Sequence, residues 1–326
     1  PLFHVAAYNV VHAHARRRPV VLPDRFDARR ILEMCHSHRV TAMSLAATML
    51  RLLVDALAEA DEPAPPPTLR TIAYGAAPMP ETLLREAHEL LGCDFAQGYG
   101  STELSGNAVF LGPDAHRRGL DGETRLLAAA GYPGPGVDLR IVDDTGNPLP
   151  AGSPGELAVA AAQVCAGYLD DPHATAATIR DGWLHTGDIG VLDDDGLLRI
   201  VDRAKDVVVT GGENVASREV EDVLDSHPLV ADVAVIGTPD AHWGEAVTAV
   251  VVLHAEASTD RDTSDGAGVR RADDTLADEL RRHVVERLAG YKKPRRVFVT
   301  RALLHNANGK VDKPALRSAV AALADP

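Results

Sequence analysis

Three cysteines in 326 residues, Cys35, Cys93 and Cys165, are too far apart and odd in number to build a disulfide framework or a zinc site. A reducing cytosol suits them, and a cytoplasmic protein is expected. No apolar run approaches the length that crosses a membrane. The chain opens on Pro1-Leu2-Phe3-His4, without an initiator Met or a basic leader. That opening predicts no signal peptide and reads as a fragment boundary. There is no Walker loop, no G-x-G-x-x-G and no G-x-S-x-G elbow, and the last absence removes an α/β-hydrolase reading. Positive charge is in short supply. Lys and Arg number 33 against 47 Asp and Glu, for a net charge of −14. Such an acidic chain is a poor general partner for DNA or RNA, although a local positive site still takes a small anion.

What is there is an ordinary soluble composition, 45% hydrophobic and 25% charged, long enough for about two domains. Asp27 can cap a helix over Ala28–His38, Val40–Leu45 reads as a buried strand, and Ala46–Ala60 is apolar at helical spacing. Past the proline-rich connector Glu62–Pro67, Leu69–Tyr74 is a strand, Pro80 opens a helix that Gly92 stops, and Asp94–Gln97 is another strand. Repeated β-α units predict a parallel sheet covered by helices. From about Gly131 the pattern turns strand-rich and hairpin-like, with strands at Val137–Val142, Glu156–Ala160 and Leu197–Val201. A second unit is expected after Asp202. In it Ser217 caps a helix through Asp225, Val230–Ile236 and Ala246–Leu253 are strands, and Glu256–Thr275 is a mobile loop. Leu276–Leu288 and Pro314–Leu323 are its later helices and Val297–Thr300 its last strand. The expected fold is therefore α/β. Residues 1–202 form the C-terminal portion of a large domain of parallel βα units plus a strand-rich part, and residues 203–326 form a small, mobile α+β domain.

The strongest local signal is Gln97-Gly98-Tyr99-Gly100-Ser101-Thr102-Glu103, directly after a strand. Ligands of open α/β sheets collect at the carboxyl ends of strands. Glycines admit a ligand to the backbone, Tyr99 offers a flat face to a purine, Thr102 offers a hydroxyl to a phosphate, and Glu103 offers a hard oxygen to Mg²⁺. The same residues would equally make a tight strand-to-helix turn with a solvated Glu. Gly75-Ala76-Ala77-Pro78 lacks bulk and suits the wall of a flat base, or is a plain βα turn. In Trp183-Leu184-His185-Thr186-Gly187-Asp188 the carboxylate can take two ribose hydroxyls, or the stretch is only a turn. Asp202-Arg203-Ala204-Lys205-Asp206, Gly211-Gly212-Glu213-Asn214 and Asn306-Ala307-Asn308-Gly309-Lys310 follow. A Lys on a glycine-containing loop is a movable point charge suited to developing negative charge, and also a common surface residue. The histidine pairs His12/His14 and His36/His38 have no carboxylate or Cys cluster near them in sequence, which favours solvated side chains over metal ligands.

Taken in order, Pro1–His4, Gly75–Pro78, Tyr99–Glu103, Gly155-Glu156-Leu157, Gly167-Tyr168, Trp183–Asp188, Asp202–Asp206, Gly211–Glu221 and Asn308–Lys310 resemble the blocks of the adenylate-forming superfamily, most of all its acyl-CoA synthetases and fatty-acid or aryl-acid CoA ligases. The resemblance covers nearly the whole chain. It implies an ATP-dependent ligase of two steps. A carboxylate attacks the α-phosphate to give acyl-AMP and pyrophosphate, and the thiol of CoA then takes the acyl group and releases AMP. ATP, Mg²⁺ and CoA are thus the implied small partners, with fatty acid metabolism as one setting. By the same resemblance Gly75, Ala76, Ala77, Pro78, Tyr99 and Gly100 line the adenine site, Thr102 contacts phosphate and Glu103 holds Mg²⁺. Asp188 and Arg203 take the ribose, Lys310 stabilises the pentacovalent phosphorus, Lys205 is the hinge, Gly212 lines the pantetheine tunnel, and His4 lies near the reacting carboxylate. The basic run Lys292-Lys293 and Arg295-Arg296 either meets CoA phosphates or is a solvated loop.

Two departures from the pattern stand out. The Ser/Thr/Gly-rich loop with its Lys, which grips pyrophosphate, should precede Pro1–His4, and acidic Ser258–Gly266 does not replace it. The chain as it stands is therefore expected to adenylate poorly or not at all. Leu304-His305 also stands where the family usually has Pro-Arg. Loading of a carrier protein instead of CoA, and a non-catalytic nucleotide- or CoA-binding fragment, are the two alternatives. The sequence does not reveal the acid or the oligomeric state.

Overall fold

The computed structural model describes residues 6–60, 64–75, 79–254, 268–305 and 310–323. The chain divides into two compact units, residues 1–186 with 190–200, and residues 187–189 with 201–326.

The first unit opens with helices α1 (Ala6–Ala15) and α2 (Ala28–Ser37). The Asp27 side chain caps α2 by accepting the Arg30 N–H at 2.9 Å. Strand β1 (Ala42–Leu45), helix α3 (Ala47–Ala58), strand β2 (Thr71–Gly75), helix α4 (Glu81–Leu91) and strand β3 (Asp94–Ser101) then alternate. Gly92 takes the left-handed conformation, φ +60, that ends α4. Strands β1, β2 and β3 pair in parallel. Leu50, Val54 and Leu57 of α3 and Leu83, Leu84, Ala87 and Leu91 of α4 pack on Ile72, Tyr74 and Phe95. Apolar residues recur every three or four positions on both helices, so each buries one stripe against the sheet. Arg51 bridges the pair through a two-bond fork on Glu86, at 2.6 and 2.9 Å.

The sheet is not parallel throughout. Strand β3 turns at Thr102–Ser105 into β4 (Gly106–Leu111), which pairs with it antiparallel and in turn pairs antiparallel with β5 (Tyr132–Pro133), after the helix α5 (Pro113–Leu120). The reversal takes only four residues, too few for a crossover helix. The Thr102 carbonyl accepts the Ser105 N–H at 2.9 Å, and Ser105 itself is left-handed, φ +52. A second sheet has the order β10-β9-β7-β6, with β8 at the side of β9. Its strands are β6 (Val137–Val142), β7 (Gly155–Ala161), β8 (Ile179–Arg180), β9 (Trp183–Leu192) and β10 (Leu198–Arg203), with α6 (Pro172–Thr178) before β8. Leu139, Ile141, Leu157, Val159, Leu184 and Leu198 meet Leu104, Ala108 and Val109 in a common core.

The second unit is a sheet with both faces covered. Its strands are β11 (Val208–Thr210), β12 (Glu213–Val215), β13 (Val230–Asp240), β14 (Gly244–Leu253), β15 (Arg270–Arg271) and β16 (Arg296–Thr300). Its helices are α7 (Ser217–Asp225), α8 (Asp274–Val285) and α9 (Lys313–Ala321). Side chains alternate across a strand. Val235, Val247, Ala249, Val251, Val297 and Val299 therefore pack against α7 and α8, while Ala234, Ile236, Val250 and Phe298 meet Leu316 and Val320 of α9.

Three further expectations need correction. Val40–Leu45 is expected as a buried strand, but β1 alternates exposed and half-buried residues. Ser217 is the first residue of α7 but not its cap: Ala216 occupies the cap position, with no side-chain bond to the helix. The Ser217 hydroxyl instead accepts Lys313 Nζ at 2.6 Å. The expected loop Glu256–Thr275 also runs too far. Its described end holds β15 and the start of α8, where Asp273 accepts the Leu276 N–H at 2.9 Å. Residues 255–267 lie outside the described residues. Among the described residues no helix is long and apolar enough to cross a membrane.

Candidate active site

The Gly98–Glu103 motif occupies the end of β3 and the hairpin turn that follows, not a strand-to-helix turn. The register slips between Tyr99 and Gly100: Tyr99 faces Val109 and Gly100 faces Asn107. Ala108 is thus the extra residue of a bulge, a device that re-aims side chains near functional sites. The glycines serve this hairpin first. A Cβ on Gly100 would collide with the Gly106 carbonyl, and one on Gly98 with the Asn107 side chain. A Cβ on Gly75 would press on the Gly98 carbonyl of the adjacent strand. Tyr99 is half-buried and packs on the core that includes Leu104 and Val109, which fixes its ring.

Thr102 is exposed at the turn. Glu103 is held at both ends. Its carbonyl accepts the Cys165 N–H at 2.7 Å, and its carboxylate Oε1 accepts the Tyr168 hydroxyl at 2.9 Å. That bond raises the Tyr168 phenol above its ordinary pKa. Tyr168 is positioned in turn by Thr175, whose Oγ1 accepts the Tyr168 N–H at 2.9 Å. Tyr168 belongs to a motif that was legible in sequence, but nothing in its spacing disclosed that it touches Glu103 from 65 residues away.

Asp188 lies within β9, not beyond a turn. The strand is pinned on its approach: His185 Nδ1 is 2.8 Å from Glu156 Oε2, the Thr186 hydroxyl donates to the Leu157 carbonyl at 2.9 Å, and Arg140 stacks 3.9 Å above the Trp183 ring. Asp188 pairs with Arg203 Nε at 3.4 Å, and both belong to the second unit. Lys310 joins them. Burial first, and then the Arg203 charge, lower its ammonium pKa below the ordinary lysine value, while Asp188 opposes the shift. The structure therefore gathers Lys310, Arg203 and Asp188 into one electrostatic group. A lysine next to a second cation and partly desolvated is more readily drawn to a new anion.

Lys205 is exposed on the short 3₁₀ turn Ala204–Asp206. Gly212 is left-handed, φ +84, with open space where a Cβ would stand. His4, Ala76, Ala77 and Pro78 lie outside the described residues. Cys35 and Cys93 are buried, and burial pushes the Cys93 thiol up to about 12, so it is no thiolate nucleophile at neutral pH.

Comparison with known proteins gives this arrangement its context. A family model described as AMP-binding enzyme matches residues 1–169, and one described as AMP-binding enzyme C-terminal domain matches residues 219–310. The chain belongs to the AMP-binding enzyme family. Medium/long-chain-fatty-acid–CoA ligase FadD8 of Mycobacterium tuberculosis is 36% identical over 318 residues, covering 98% of this chain and 53% of the relative. Fatty acid–[acyl-carrier-protein] ligase ScoC of Streptomyces coeruleorubidus is 37% identical over 300 residues, covering 91% of this chain and 53% of the relative. Among solved structures, amide bond synthetase McbA of Marinactinospora thermotolerans superposes with a TM-score of 0.83 at 35% identity, covering 98% of this chain and 60% of that one. O-succinylbenzoate coenzyme A synthetase of Bacillus subtilis, solved with ATP and magnesium ion, superposes with a TM-score of 0.79 at 33% identity, covering 97% and 60%. The chain thus spans about half the length of the curated relatives it matches.

Proposed function

We propose that this chain is the nucleotide-reading and lysine-bearing part of an AMP-forming acid–thiol ligase, which activates a fatty or aryl carboxylic acid as its adenylate and passes the acyl group to CoA. The observation that carries the reading is the convergence of Lys310, from near the end of the chain, with Arg203 and Asp188, from the neighbouring strands β10 and β9, in one unit. Pyrophosphate departure concentrates negative charge, and positioned cations answer that need. In this reading Tyr99, Gly100 and Gly75, with Ala76, Ala77 and Pro78, receive adenine. Thr102 meets phosphate, Asp188 and Arg203 orient the ribose, and His4 borders the reacting carboxylate. Lys310 serves the first step. Lys205 marks the hinge that withdraws Lys310 for the second, when Gly212 opens the way to the thiol.

Magnesium fits the residues present. Glu103 supplies one anchored carboxylate, and among the described residues no group of three His, Cys, Asp or Glu forms a protein cage. That is the donor set of an ion held chiefly by phosphates and water. Bound there, the ion would neutralise phosphate charge, and Tyr168 would keep the Glu103 carboxylate aimed. A cytoplasmic setting suits the three free cysteines.

The relatives differ in acceptor. ScoC is a ligase to an acyl-carrier protein and McbA an amide bond synthetase, which keeps a carrier-loading second reading in play. The test is pyrophosphate release by the complete protein over a panel of carboxylic acids, repeated with CoA, a carrier protein or an amine. Acid-dependent release with thioester formed only from CoA is expected. Release with acyl transfer only to the carrier selects the second reading. Nucleotide binding without release from any acid contradicts both.

A further inference from the structure

Lys310 is followed closely by a second lysine that is built into the second unit. Lys313 begins α9, and its side chain is only 15% exposed. Its Nζ donates to Ser217 Oγ at 2.6 Å and lies 2.8 Å from Glu221 Oε1. Glu221 also accepts the Val235 N–H at 2.8 Å, which ties the pair to β13. Ser217 in turn donates its N–H to Asp202 Oδ2, and Asp202 Oδ1 accepts the Arg203 N–H at 2.7 Å. Asp202 is buried. One turn further along α9, Arg317 pairs with Asp206 at 3.2 Å. An unbroken run of polar contacts therefore leads from the start of α9, through Ser217 and Asp202, to the residue that pairs with Asp188.

We propose that Lys313 is a positioning residue: by docking the start of α9 on Ser217 and Glu221, it registers Lys310 against Arg203 and Asp188. The physical reason lies in the cost of the arrangement. A half-buried ammonium–carboxylate pair gives little net stability relative to apolar packing, because desolvation offsets the attraction. What it does supply is a single geometry, since a point charge with three donors is satisfied only when Ser217 and Glu221 are both in reach. The inference rests on Lys310 being the cation of adenylation, but its test does not.

The test is competitive trace acetylation of the 326-residue chain across pH, with the modification of Lys310 read by mass spectrometry. No nucleotide or acid is required, so a chain that activates nothing still answers. In the parent, Lys310 should titrate below the ordinary lysine value of about 10.4. In Lys313→Met with native circular dichroism, the midpoint should rise to the ordinary value, while Lys313→Arg should stay close to the parent. A folded Lys313→Met whose Lys310 curve matches the parent, with only the melting point lowered, would overturn the proposal. Should Lys313→Met not fold, Ser217→Ala removes one of the two acceptors. An intermediate rise supports the assignment, and an unmoved curve refutes it. In the complete protein, Lys313→Met should lower acyl-adenylate formation more than thioester formation from supplied acyl-adenylate, and equal losses would count against a positioning role.

Discussion

The two units hold their proposed site residues in different ways. In the first, Tyr99, Thr102 and Glu103 sit on a bulged hairpin over an apolar core, and the polar contacts are local: one tyrosine on one glutamate, one histidine on another. In the second, Arg203 lies at the end of a connected polar run that includes Asp202, Ser217, Glu221 and Lys313, and Lys310 shares the electrostatics of Arg203 and Asp188. Polar substitutions in the first unit should therefore act on single contacts, while those in the second should travel. The first unit resembles a platform, the second a mounted tool.

The strongest way to break the comparison is to unfold one unit and watch the other. Phe95→Ala in the first and Phe298→Ala in the second each empty a fully buried site and should cost about 3–5 kcal/mol. Calorimetry should show one transition falling and the other unmoved for each variant. Matching shifts of both transitions would mean that the units melt together.

Asp202→Ala comes next. It leaves the N–H groups of Arg203 and Ser217 without their carboxylate and should cost the second unit about 1.5–3 kcal/mol. The same variant should move the Lys310 titration, whereas Glu156→Gln in the first unit should not.

Acid should then pull the units apart. Hydrogen bonding from Arg51 lowers the Glu86 pKa, so its contribution is present above the ordinary carboxylate value and is lost as pH falls through the lowered one. Asp225 and Asp232 are raised by burial, so their contribution is full below the ordinary value and is lost as pH rises through the raised one. His283 works the other way: burial lowers its pKa, so its contribution is present above the ordinary histidine value and is lost as pH falls through the lowered one. Melting curves taken from neutral pH down to about 3 should show Glu86→Gln flattening the profile of the first unit, Asp232→Asn flattening the acid-side gain of the second, and His283→Gln enlarging that gain. Parallel profiles in the variants and the parent would refute the assignments.

The smallest effect is the local one. Tyr168→Phe removes a single hydroxyl bond to Glu103, worth about 0.5–1.5 kcal/mol. In the complete protein it should raise severalfold the magnesium concentration needed for half-maximal adenylation, with melting lowered by no more than that one bond contributes. A fall in stability without a change in magnesium dependence would make Tyr168 a structural residue only.

Much of this architecture could be read from the chain. Asp27 caps α2, Gly92 ends α4, and strand Val137–Val142 stands where it was expected, because each depends on local propensity. The errors have tertiary causes. The turn after Tyr99 is a hairpin and not the start of a helix because β4 lies against the glycines of β3, a pairing that the motif read alone does not show. Ser217 has the composition of a cap, yet its hydroxyl is claimed by a lysine 96 positions away. The contacts of Tyr168 and Lys313 were not legible in sequence because their partners, Glu103 and Ser217, come from other elements. Lys310, Arg203 and Asp188 were named from a family pattern, but their mutual electrostatics required coordinates.

The account depends most on what Lys310 does in the complete protein. The direct measurement is of both half-reactions for Lys310→Ala: pyrophosphate formation from ATP and acid, and thioester formation from supplied acyl-adenylate and CoA. The first should fall by roughly 10²–10³, the scale of one lost stabilising donor, with the second nearly preserved. Equal losses in the two, or an unchanged first step, would contradict the role given to this lysine.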